Sequence, residues 1–165
     1  MQWRIILFSG FLIISGVHKA NSEQQHFDKV GFYKVMATGD TDAINKEILI
    51  VQESSADNKD GYEGALLMKK ADFLVAAKKK LKIFKAGCIK LETALQADSN
   101  NTEFRFLRLS IQEHAPKAVK YHCDLEKDKL FIQKNFKSLS AVVQSAILDY
   151  CKKSNFLHVD PSVRD

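Results

Sequence analysis

Between Leu81 and Arg108 the chain spells out two helices and the corner that joins them. Leu81, Phe84, Cys88, Leu91 and Leu95 recur at spacings of three and four, which places them on one face of a helix. Gly87 and Ala94 widen that face with small side chains, so that a neighbouring helix can approach closely. Asp98, Ser99, Asn100, Asn101 and Thr102 then gather short polar side chains that bond to nearby backbone. They end one helix and cap the next, with Glu103 in the favourable first turn. A helix with such a face has to pack on more than one neighbour.

The rest of the chain supplies those neighbours. Proline occurs only at 116 and 161, and glycine only before residue 88, so strand and turn punctuation is scarce while helical periodicity is frequent. About seven helices are expected. The first runs from Phe27 to Ala37 and stops at Gly39, which suits a left-handed cap; Asp40 or Thr41 opens the second, marked by Ile44, Ile48 and Val51. Residues 53–60 are polar and without period, hence a loop. Leu67, Ala71 and Leu74 form one face of the third helix, with Tyr62, Ala65, Leu66 and Phe73 adding buried area on either side.

The fourth helix is the long one above. The fifth, Thr102 to His114, keeps Phe104, Leu107 and Ile111 in register, while Phe106 and Leu109 make it apolar around much of its circumference. Such a helix belongs in the middle of a bundle. Pro116 suits the first turn of a sixth helix reaching Phe136, with a break near Asp124. The seventh is capped by Ser138 or Ser140 and repeats Leu139, Val142, Val143, Ala146, Ile147 and Tyr150.

Length bounds the chain to one domain with a real core. Arg4, the apolar run Ile5 to Val17 and the small-x-small stretch Ala20-Asn21-Ser22 read as a secretory signal peptide over residues 1–22. The apolar run is 13 residues, short of the ~20 that span a bilayer. The expected organisation is a leader at 1–22, a helical domain at 23–157 and a disordered tail at 158–165. The product is exported, periplasmic or extracellular, with no integral membrane segment after processing. Loss of Arg4 and Lys19 lowers the formal charge from +5 to +3. Eight lysines nevertheless crowd between Lys69 and Lys90 against the single acid Asp72, and read as the solvated face of amphipathic helices. Export and the lack of interleaved aromatics argue against nucleic acid as a partner. Cys88, Cys123 and Cys151 allow at most one internal disulfide. Cys88 lies on an apolar face, so Cys123 and Cys151 are the expected partners.

The stretch with Gly87, Leu91 and Ala94, closed by Asp98-Ser99-Asn100-Asn101, resembles the second half of a tetratricopeptide repeat, with Ser99 where the repeat has proline. Arg105 and Arg108 depart from that pattern, and no second copy follows. Gly61 to Ala71, Lys80 to Gly87 and Phe104 to Glu113 resemble an uncharacterised group of exported bacterial helical proteins, over roughly residues 60–136. That resemblance implies an all-α fold of antiparallel helical hairpins, either a tetratricopeptide-like right-handed superhelix or a compact bundle. It implies no activity.

No Gly-x-Ser-x-Gly elbow, phosphate loop, His-Glu-x-x-His, Cys-x-x-Cys or dinucleotide fingerprint occurs, so no enzyme, cofactor or metal site is expected. His114 near a helix end suits the helix dipole, and the adjacent His122 and Cys123 point in different directions. Arg105 and Arg108, three apart on an apolar helix, are either an anion clamp in a groove or members of an internal salt bridge, with Glu63, Glu92, Glu113 or Asp128 as partners. The internal pair is the favoured reading. Arg105, Arg108, Tyr62 and Lys69 form the candidate binding set. The function expected is protein or peptide binding; the alternative is a carrier whose cavity, lined by Phe73, Phe84, Phe104 and Phe106, holds a small apolar or anionic ligand.

Overall fold

A computed structural model describes residues 27–160. The leader expected at residues 1–22 and residues 161–165 of the expected tail lie outside the described residues. Seven α-helices follow in order: α1 Lys29–Thr38, α2 Thr41–Glu53, α3 Lys59–Asp72, α4 Ala77–Ala97, α5 Thr102–Gln112, α6 Leu125–Asn135 and α7 Ala141–Cys151. Among the described residues there is no strand, and the chain is an all-α bundle.

Local chemistry sets several boundaries. Asp28 caps α1 by accepting from the Gly31 amide, and Gly39, at φ 73°, ends it in the left-handed region. Asp40 then caps α2 through the amides of Asp42 and Ala43, and Asn101 caps α5 through that of Phe104. Pro116 opens only a short 3-10 turn, Lys117–Val119, rather than the helix expected there. Lys120, left-handed at φ 52°, ends that turn and delivers Tyr121 edge-on to Phe84 in the core. The helical chain resumes at Leu125, after the expected break at Asp124.

The closest helix contact is between α3 and α4. A Cβ added to Gly64 would lie 2.7 Å from the Gly87 carbonyl oxygen and 2.7 Å from the Leu91 nitrogen, so the helices meet backbone to backbone. Only hydrogen at these positions permits it. Around this hairpin a first core gathers Phe32, Ile44, Val51, Ala65, Leu91 and Phe104; a second holds Phe106, Leu109, Ile132, Phe136, Val143 and Ile147. Every residue of α5 from Thr102 to Leu109 is buried, and its Phe and Leu side chains feed both cores. This helix can sit at the centre of the bundle because its charged side chains are paired with neighbouring helices: Glu103 with Lys29 of α1, and Arg105 and Arg108 with Asp128 of α6.

Two expectations about faces are corrected. Leu81 is 42% exposed, whereas Phe84, Leu91 and Leu95 on the same stripe are buried. Phe73, just after α3, lies 44% exposed against Gly39 rather than in the core.

Candidate functional site: an apolar cleft walled by α1 and α7

Two carboxylates ten residues apart, Glu103 in the first turn of the central helix α5 and Glu113 just past its end, hold the flanking helices. Glu103 accepts from Lys29 Nζ at 2.6 Å and from the Tyr33 hydroxyl at 3.0 Å, tying α1 to the start of α5. Glu113, just past the end of α5, accepts from the hydroxyls of Tyr150 and Ser154 and from the Asn155 amide, tying down α7 and the turn after it. Burial opposes charge on Glu113, but these three donors outweigh it and hold the carboxyl below its ordinary value of 4.5. α1 and α7 thereby stand as two walls over α5.

Between them is a cleft of about 820 Å³. Its floor is Met68, Phe84, Phe106 and Leu107, all buried, with Met36 and Ile111 half-buried beside them. α7 contributes Val142 and Ala146, short side chains that leave the space open. The rim is charged: Lys34, Lys69 and Lys153 stand against Asp72 and Asp149. Tyr33 and Tyr150 line it as well. Burial raises the pKa of both phenols, and the neighbouring carboxylates Glu103 and Glu113 raise them further. Such phenols are hydrogen-bond donors and apolar walls, and they are poor proton acceptors near neutral pH. His114 is exposed at the rim, with Nδ1 3.0 Å from the Ser110 carbonyl, and its ring meets Tyr150 edge-on. Among the described residues no group of three His, Cys, Asp or Glu side chains is placed to hold a metal ion.

Of the residues singled out from the sequence, Lys69 lies on the cleft, as do Phe84 and Phe106 from the expected cavity lining. Phe104 does not: it is buried edge-on to Tyr62. Tyr62 is also core, stacked among Phe27, Phe32 and Phe104, and burial pushes its phenol up to about 12.

Arg105 and Arg108, also placed in the candidate binding set, form the internal salt bridge that is the favoured reading of the sequence, with Asp128 and Glu92 as partners, and not an anion clamp. Asp128 of α6 is wholly buried and accepts from Arg105 Nη1 at 2.7 Å and from Arg108 Nε and Nη2 at 2.7 and 2.8 Å. Arg105 also donates twice to the Ser99 carbonyl, at 2.9 and 2.6 Å, and lies 4.3 Å from the Phe131 ring centre. Arg108 donates to Glu92, which in turn accepts from Tyr121. Burial works against the Arg108 charge, but Asp128, Glu92 and Asp124 overcome it and hold the guanidinium above its ordinary pKa. Buried and paired with carboxylates, the two guanidiniums do not face an open groove as an anion clamp would.

The expected Cys123–Cys151 bridge is likewise corrected, because all three cysteines are free thiols. Cys123 is exposed beside Asp124, and Cys151 packs in the second core near Val159. His158, expected in the tail, is held to the bundle: its carbonyl accepts from Gln133 of α6 at 2.7 Å. Sequence reasoning missed the cleft as such, because its lining comes from five helices.

No protein-family model, no curated protein and no solved structure matches this chain. No helix among the described residues is long and apolar enough to cross a membrane.

Proposed function

We propose that the protein is an exported interaction module whose cleft takes the apolar face of a peptide or protein segment. The observation that carries this is the floor of Met36, Met68, Phe84 and Phe106 beneath two walls of separate helices, with lysines along the rim. Methionine repacks around differently shaped side chains, and a groove of this kind receives an amphipathic helix through apolar residues at i, i+3 or i+4, and i+7. Lys34, Lys69 and Lys153 favour a segment with acidic residues flanking those anchors. The α3–α4 hairpin, with its glycine contact, supports reading this region as a single tetratricopeptide-like element.

A second reading is a carrier for a small apolar carboxylate, favoured by the cleft volume of about 820 Å³, which falls within the ~300–1,000 Å³ of small-molecule sites. One experiment separates the two. A peptide library displayed on phage is selected against the protein, and hits are counter-screened on Ala146→Trp, which fills the cleft from α7. Helical sequences with spaced apolar anchors that bind the parent and not Ala146→Trp support the first reading. Failure of the library combined with dodecanoate binding that Ala146→Trp abolishes supports the second. If neither ligand distinguishes the variant from the parent while both melt alike, the cleft is not the binding site.

A further inference from the structure

The free end of the α3–α4 hairpin is unlike the rest of the surface. Residues 73–76 connect the helices, and Val75 in the middle is fully exposed. Phe73 and Leu81 flank it, each more than two-fifths exposed. Around this apolar tip stand Lys70 on α3 and Lys78, Lys79, Lys80, Lys82 and Lys85 on α4. Among the described residues none of the six is ion-paired with a carboxylate; Lys80 donates only to the Asp72 carbonyl. Lys90, farther along α4, is engaged by Asp60 and Glu63 and does not belong to the group.

Fold stability accounts for only part of this arrangement: Lys70 suits the last turn of α3, and Lys80 reaches the Asp72 carbonyl at the end of that helix. Lys78, Lys79 and Lys80 lie in the first turn of α4, at the positive end of its dipole, where cations are unfavourable. That turn has no acidic residue, and Ala76 supplies no side-chain cap. Local rules of helix design are broken here for charges that make no ion pair within the molecule. A site that sacrifices local preference in this way points outward, to a partner.

The geometry points to docking of this tip on a bilayer surface that contains anionic phospholipid. The partner has to supply negative charge to these lysines and an apolar layer to Phe73, Val75 and Leu81, which are exposed at the loop end of the hairpin. A membrane interface offers those two layers at successive depths, headgroup phosphates outside and acyl chains beneath. A single strand, held by aromatic stacking, would find only Phe73 here, its ring against Gly39 and 5.8 Å from Lys69 Nζ, and nothing to take up Val75 and Leu81. The inference is independent of what the cleft binds.

The test uses the full chain in the form the cell makes, with vesicles of phosphatidylcholine alone or mixed with phosphatidylglycerol. The parent should float with the mixed vesicles and not with phosphatidylcholine, and added salt should release it. Lys78→Gln/Lys79→Gln/Lys82→Gln should weaken binding about 100-fold, at about fivefold per lysine. Val75→Trp provides a readout local to the tip: its indole should shift to the blue on mixed vesicles and be quenched by brominated acyl chains. Both variants should melt with the parent, since every changed side chain is exposed. An indole that neither shifts nor is quenched overturns the proposal. So does binding that the triple variant leaves unchanged, or affinity for duplex DNA equal to that for mixed vesicles.

Discussion

Removing the Asp128 carboxylate is the sharpest perturbation this fold offers. The side chain is inaccessible to solvent and accepts three hydrogen bonds from two guanidiniums that are themselves 6% and 7% exposed. Each charge-assisted bond contributes about 1.5–3 kcal/mol, so outright loss of all three would cost roughly 5–9 kcal/mol. Not all of that is realised in Asp128→Ala. Arg105 keeps the Ser99 carbonyl and the Phe131 ring, and Arg108 keeps Glu92. The expected loss is therefore about 3–5 kcal/mol, the cost of leaving buried charge short of its partner. A domain of this kind has about 5–15 kcal/mol in total, so the variant is far less stable but folds. Urea titration followed by circular dichroism reads this directly, as a midpoint lowered by about 2 M for an m-value near 2 kcal/mol/M. Arg108→Ala should cost a similar amount. The double variant should fall short of the sum by up to about 3 kcal/mol, because the two residues share the same bonds. If Asp128→Ala stays within about 0.5 kcal/mol of the parent, as an ordinary surface change does, the network is not buried and the arginines return to the list of binding residues.

The hairpin contact and the cleft walls can be probed in the same way. Gly64→Ala should destabilise by about 1–3 kcal/mol, because its methyl group meets backbone atoms of α4 that cannot move without separating the helices. Gly31→Ala in α1, where the nearest atom would be 3.7 Å away, should instead stabilise by up to about 1 kcal/mol through helix propensity; thermal melts of the pair with shifts of the same sign would refute the contact. Glu113 has its folded-state pKa below its ordinary 4.5, so the stability it contributes is present above 4.5 and is lost as pH falls through the folded-state value. Hydrogen exchange at Asn155 and Leu157 should accelerate over that acidic window, and Glu113→Gln should abolish the pH dependence; an unchanged profile in the variant would show that another group holds the α7 wall.

The local elements of this protein are legible in the order of its amino acids. Spacings of three and four place Phe84, Leu91 and Leu95 on one buried face, and Asp40 and Asn101 announce helix starts through side chains that reach only their own next turn. Phe104, Phe106, Leu107 and Leu109 leave α5 apolar around much of its circumference, which is enough to put it in the middle. Such inferences succeed because cause and effect lie within a few residues. Tertiary structure alone decided what covers each face. Periodicity groups Leu81 with Phe84 but does not say that one is left 42% exposed and the other covered. Gly64 and Gly87 acquire their importance only from each other, and Arg105 found its carboxylate 23 residues away on another helix. The cleft is the extreme case: it is a space, bounded by side chains from five helices, whose existence depends on how far apart Glu103 and Glu113 hold two of them. No stretch of sequence encodes a gap between elements, because the gap belongs to their packing and to none of them singly.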